Sequence, residues 1–143
     1  MAAINRKRVL VGTIAGWVVW AAWSMFVNAY ILAGQYEASE AAGQLLNPPR
    51  YSPPIFLASW FVTLLILTCI AAHLYAWVRG TLGAGPGTAL RVGILVGFCA
   101  GFPLSLSVAT WVPVERIVPL WWMLDLWVGA ILATFVAAWL YKD

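Results

Sequence analysis

The chain reads as an all-α integral membrane protein, a four-helix antiparallel transmembrane bundle with both termini in the cytoplasm. Three observations predict this. Of 143 residues, 64% are hydrophobic and only 9% charged, whereas a soluble domain carries roughly 25% charged and 45–50% apolar residues. Four apolar runs reach the roughly 20 residues that cross about 30 Å of hydrocarbon. The basic residues gather in alternate connections between those runs. A core of 143 residues cannot hide so much apolar surface, which excludes a soluble enzyme, a disordered chain and a nucleic-acid module.

The spans are expected at about 9–34, 55–78, 92–112 and 118–141, within one transmembrane domain. Backbone polar groups left unpaired in lipid are costly, so runs of this length must be helical. Strands of a barrel would alternate in polarity over 9–11 residues, and no such alternation is present. Arg6, Lys7 and Arg8 before the first run resemble a signal peptide, but the run far exceeds a 7–15-residue h-region. The first span is therefore retained.

Orientation follows from the loops. Arg6, Lys7, Arg8, Arg79, Arg91 and Lys142 fall on one side, against Arg50 and Arg116 on the other, where Glu37, Glu40 and Glu115 also lie. The positive-inside rule places the first group in the cytoplasm and the chain in the cell's inner membrane. In the outer loop, 35–54, the stretch from Tyr36 to Ala42 favours helix. It is expected to form a short outer-surface helix or an extension of the first span, ended by Pro48 and Pro49. The Gly-rich loop at 79–91 lacks both the Gly-Lys-Ser/Thr ending and the preceding strand of a phosphate loop, so a flexible cytoplasmic connection is expected.

Helices in lipid associate where small residues let backbones approach. Gly12 and Gly16 form such a face in the first span, Gly93, Gly97 and Gly101 in the third, and Gly129 with Ala133 and Ala137 in the fourth. Pro103 removes a hydrogen bond inside the third span and is expected to kink it.

Asp125 is the sharpest chemical signal. It lies about seven residues into the fourth span, and a charged Asp at a span centre costs roughly 2.5–3.5 kcal/mol on insertion scales. Asn28, Ser59, Thr63, Ser105 and Ser107 fall at similar depth in the other spans. One reading makes this layer a binding or proton-exchange site, with Asp125 and Asn28 walled by Trp20, Trp23, Trp60, Trp121 and Trp122. Tryptophan faces attract cations. The other reading is structural: Asp125 bonds Asn28 or Arg116 and fixes helix register.

His73 lacks the second histidine that a haem would need, and no donor group at its depth would complete a zinc site. No cofactor or metal is therefore expected. Cys69 and Cys99 lie inside spans and read as apolar fillers. A lone histidine and a lone membrane aspartate on opposite sides of the bilayer make no catalytic dyad, so no enzyme is expected.

Two function classes remain. The first is a non-enzymatic accessory, assembly or oligomerising membrane subunit acting through Gly and Trp helix faces. Its partners would be the lipid bilayer and a homo-oligomer or larger membrane complex, with no nucleic acid. The second is a small carrier or binder of a lipophilic or cationic solute around Asp125. The sequence favours the first narrowly.

Overall fold

The computed structural model describes residues 4–141. Lys142, which entered the charge count above, lies outside them. Five α-helices follow in order: α1 (Arg6–Phe26), α2 (Ala33–Ala41), α3 (Pro53–Leu82), α4 (Pro86–Trp111) and α5 (Ile117–Leu140). A π-helical turn, Val27–Ile31, joins α1 to α2. Four segments are long and apolar enough to cross a membrane: Arg6–Ile31, Pro53–Leu82, Pro86–Trp111 and Ile117–Leu140. The fold is thus all-helical, as the four apolar runs require.

Local chemistry sets the helix ends. The Asn5 side chain accepts from the Arg8 backbone N–H at 3.2 Å and caps α1. Pro53 and Pro54 occupy the first turn of α3, and Pro86 that of α4, where a missing N–H removes no helix bond. Val112, in extended conformation before Pro113, stops α4. Gly43 ends the turn after α2 at φ +70°, a conformation that side chains disfavour. Gly43 there donates to the Glu40 carbonyl at 2.9 Å, and Gln44 to that of Ser39 at 2.8 Å.

Two expected boundaries move. The Gly-rich connection shrinks from 79–91 to residues 83–85, because α3 continues to Leu82 and α4 already starts at Pro86. The Thr88 hydroxyl closes the tight turn by donating to the Gly83 carbonyl at 2.8 Å. The first connection keeps its helix but loses its length: α2 occupies residues 33–41 and only 42–52 are irregular.

Helix α5 is the hub, packed against α1, α3 and α4. Its contact with α1 is an antiparallel ladder stepping four residues at a time. Gly12 meets Ala137, Gly16 meets Ala133, and Trp20 lies on Gly129. On another face of α5, Gly93 meets Ile131, Gly97 meets Trp127 and Gly101 meets Met123. An added Cβ at Gly16 would stand 2.7 Å from the Ala133 carbonyl oxygen, and one at Gly97 would stand 2.7 Å from the Trp127 Cα. The small residues therefore mate within the chain. Backbones this close gain van der Waals contact that no lipid tail supplies. Pro103 sits inside α4, which remains one helix from Pro86 to Trp111; the Ser107 hydroxyl donates to the Pro103 carbonyl at 3.0 Å.

The α1 start and α5 end meet, since the Asn5 N–H donates to the Tyr141 hydroxyl at 2.9 Å. Arg79 of α3 donates to the Tyr141 carbonyl at 2.9 Å, and Tyr75 accepts from the Gly85 N–H at 3.2 Å. One end of the bundle thus carries Arg6, Lys7, Arg8, Arg79 and Arg91. The described acids, Glu37, Glu40, Glu115 and Asp125, lie toward the other end or within the bundle.

Replacing Gly97 with Leu is expected to lower stability by about 1–3 kcal/mol through overpacking against α5. Gly80→Ala, at a helical position with nothing within 4 Å, is expected to leave stability unchanged or raise it by up to about 1 kcal/mol, since alanine favours the helix. Detergent-titrated unfolding of the purified protein measures both.

Candidate functional site

The four-residue ladder that starts at Gly12 and Ala137 continues past Trp20 and Gly129. Its next rung is Ser24 against Asp125. Asp125 is 1% exposed and Ser24 is 2% exposed. The Ser24 hydroxyl donates to Asp125 Oδ2 at 2.8 Å, and Asn28 Nδ2 donates to the same oxygen at 3.2 Å. Asn28 also donates to the Ser24 carbonyl at 2.9 Å, one turn back on its own helix. The acid is therefore met by two donors on one face, Ser24 of α1 and Asn28 of the π turn that continues it. Its partners are Ser24 and Asn28, not Arg116.

A second layer of donors holds the first. Trp60 Nε1 of α3 donates to the Ser24 hydroxyl at 2.9 Å, so Ser24 accepts from one helix and donates to another. The Tyr36 hydroxyl of α2 donates to Asn28 Oδ1 at 2.5 Å and accepts from Trp122 Nε1 of α5 at 2.7 Å. Every bond points toward the carboxylate: indole to hydroxyl to Asp125 along one branch, and indole to phenol to amide to Asp125 along the other. Burial raises the Tyr36 hydroxyl above its ordinary pKa, against the lowering effect of the Trp122 bond, with the Asp125 charge adding to the rise. Tyr36 therefore remains a donor throughout the physiological range.

The backbone makes this reach available. In a straight α-helix, residues 28 and 36 would stand about 12 Å apart along the axis. The π turn ends at Leu32, whose N–H bonds the Val27 carbonyl at 3.0 Å. There the chain bends and returns α2 over the end of the bundle. Leu32, Val27 and Val118 form the buried apolar floor beneath it, packed by Trp23, Trp121 and Trp122. Wide helical turns of this kind occur often at functional positions.

Most of the residues singled out in the sequence divide into three groups; Ser105, buried on α4, belongs to none of them. Asp125, Asn28, Trp60 and Trp122 share one hydrogen-bonded network. Trp20, Trp23 and Trp121 supply apolar packing around it, Trp20 being fully buried on Gly129. Ser59, Thr63 and Ser107 turn away: all three are exposed, and Thr63 bonds the Ser59 carbonyl of its own helix at 2.9 Å. Ser24 and Tyr36 were missed. Ser24 was visible as the fourth member of one four-residue stripe that extends the first glycine face, Gly12, Gly16, Trp20, Ser24 and Asn28. Tyr36 had no such signal.

Three buried polar atoms in this region have no protein partner: Asp125 Oδ1, Trp20 Nε1 and Trp23 Nε1. His73 lies elsewhere on α3, its Nδ1 bonded to the Cys69 carbonyl at 2.8 Å. Cys69 and Cys99 are free thiols. Among the described residues, no three of His, Cys, Asp or Glu come together as a metal site would require. No family model, curated protein or solved structure matches the chain.

Tyr36→Phe removes a donor to Asn28 and an acceptor for Trp122 together. It is expected to cost about 1–3 kcal/mol and to release α2, seen as faster proteolytic cleavage between residues 33 and 52 in detergent. Unchanged cleavage would show that α2 is held by its apolar floor alone.

Proposed function

We propose that the chain is a single-domain, non-enzymatic, four-span protein of the inner membrane with both termini cytoplasmic. In this reading it works through contacts, as an accessory or assembly subunit or a homo-oligomer. The observation that carries the reading is the sealing of Asp125. At 1% exposure, with Ser24 and Asn28 donating to its Oδ2, the acid offers no open face to a solute. The network then serves to fix register and to pin α2. What remains for a partner is the apolar exterior of the helices, including Val18 of α1, Ile66 of α3, and Leu95 and Leu104 of α4. The glycine faces are not part of it, since they mate internally. Partners would therefore meet larger side chains, contrary to a glycine-mediated contact with another subunit. The orientation rests on the charge asymmetry of the loops.

A second reading, a small carrier or binder of a cationic or lipophilic solute, draws on one observation. The unpaired Asp125 Oδ1 and the unpaired indole N–H groups of Trp20 and Trp23 are buried acceptor and donors in one region, and such groups call for a water or ligand.

Asp125→Asn separates the two. Its amide oxygen still accepts from Ser24 and Asn28, so the contact reading expects stability within about 1 kcal/mol of the parent and unchanged assembly on cross-linking. Asp125→Leu strands both donors and is expected to lose about 1–3 kcal/mol. Loss of pH-dependent solute binding in a well-folded Asp125→Asn protein would instead establish the carrier. Reporter fusions test orientation: activity specific to the cytoplasm is expected at both termini, and a split result would overturn the topology.

A further inference from the structure

At the basic end of the bundle a groove of about 570 Å³ opens between α1 and α3, lined by Ile4, Arg6, His73 and Trp77. Its two halves come from residues far apart in sequence, joined only by the packing of the helices. Arg6 is the first residue of α1 and is exposed. It makes no ion pair and donates no hydrogen bond among the described residues. His73 spends Nδ1 on the Cys69 carbonyl at 2.8 Å, which fixes the ring on its helix and leaves Nε2 as the edge not committed to backbone. Trp77 is 62% exposed. An indole at this level of an apolar helix suits the headgroup zone of a bilayer.

A neighbouring groove lacks that freedom. There Arg79 already donates to the Tyr141 carbonyl at 2.9 Å, and its guanidinium lies 4.7 Å from the centre of the Tyr141 ring. The contrast matters, because in the first groove a guanidinium lines an aromatic and apolar wall with no partner among the described residues. Arginine matches phosphate oxygens with two parallel N–H groups. Lys7, Arg8 and Arg79 surround the same end, and basic pockets between membrane helices take anionic headgroups.

We propose that the Arg6–His73–Trp77 groove is a binding site for the phosphodiester headgroup of an anionic phospholipid. Arg6 holds the phosphate, Trp77 and Ile4 flank the glycerol and the first acyl carbons, and His73 closes the inner side. The inference rests on the membrane-spanning reading and is independent of whether the chain acts as subunit or carrier.

The test uses the full chain purified in detergent and reconstituted into lipid nanodiscs. Wild-type protein is expected to retain phosphatidylglycerol over phosphatidylcholine, read by native mass spectrometry. The Arg6→Gln, His73→Gln double variant is expected to lose about tenfold of that preference, the effect of one lost charge-assisted contact. Arg91→Gln removes a charge from the same end outside the groove and is expected to keep the preference. Equal loss in both variants would show diffuse attraction to the basic end and would overturn the site. Complete displacement of the lipid by millimolar inorganic phosphate would also overturn it, by showing a soluble-phosphate site. Should the double variant fail to fold, a photoactivatable phosphatidylglycerol on the wild-type protein decides the matter. Cross-links at Arg6 or Trp77 support the site, and cross-links confined elsewhere sink it. Extraction of the protein from membranes by alkaline carbonate would defeat the spanning reading itself, whereas retention without lipid preference defeats the site alone.

Discussion

The antiparallel contact between α1 and α5 is the constraint on which the rest of the structure depends. Lipid gives helices no hydrophobic reason to associate, so the pair must gain its stability from close backbone approach. Gly12 and Gly16 opposite Ala137 and Ala133 permit that approach. Once those rungs are set, the four-residue step leaves no freedom farther along. Trp20 must lie on Gly129, and Ser24 must meet Asp125. A steric fit among small residues thus delivers a hydroxyl to a buried carboxyl group.

That delivery explains why an acid is tolerated within an apolar helix. Asp125 receives donors from Ser24 and Asn28, and each of these is held by an indole or a phenol from another element. Helices α1, α2, α3 and α5 all contribute. Helix α4 stays outside the network and joins α5 by a second glycine-lined contact, at Gly93, Gly97 and Gly101. Two faces of α5 therefore do different work. One is polar at its far end and fixes register, and the other is apolar and steric along its length.

Much of the fold was legible from residue order. The four spans follow from run length and missing charge, and the start of the second from Pro53 and Pro54; α4 begins at Pro86, six residues before the expected 92. The small-residue faces were also legible as faces. Their mates were not, because a Gly-x-x-x-Gly spacing states that a backbone will come close and says nothing about which backbone. The Gly-rich connection was overestimated because its glycines lie at helix ends, where packing of the adjoining turns outweighs weak propensity. Asp125 and Asn28 were found as a pair by depth alone. Ser59, Thr63 and Ser107 have that same depth and point away, since depth fixes height along a helix but not its rotation.

The sequence by itself determined that this chain forms four long apolar helices and that one of them carries an acid in need of partners. These are local properties, set by propensity, by capping and by the cost of unpaired groups in hydrocarbon. Only the tertiary structure decided that Ser24 would be the first partner and that Tyr36 would return across a π turn to support Asn28. Both depend on the rotation of α1 against α5 and on a one-residue widening of a helix. Those quantities come from the sum of many close contacts, and no single residue encodes them.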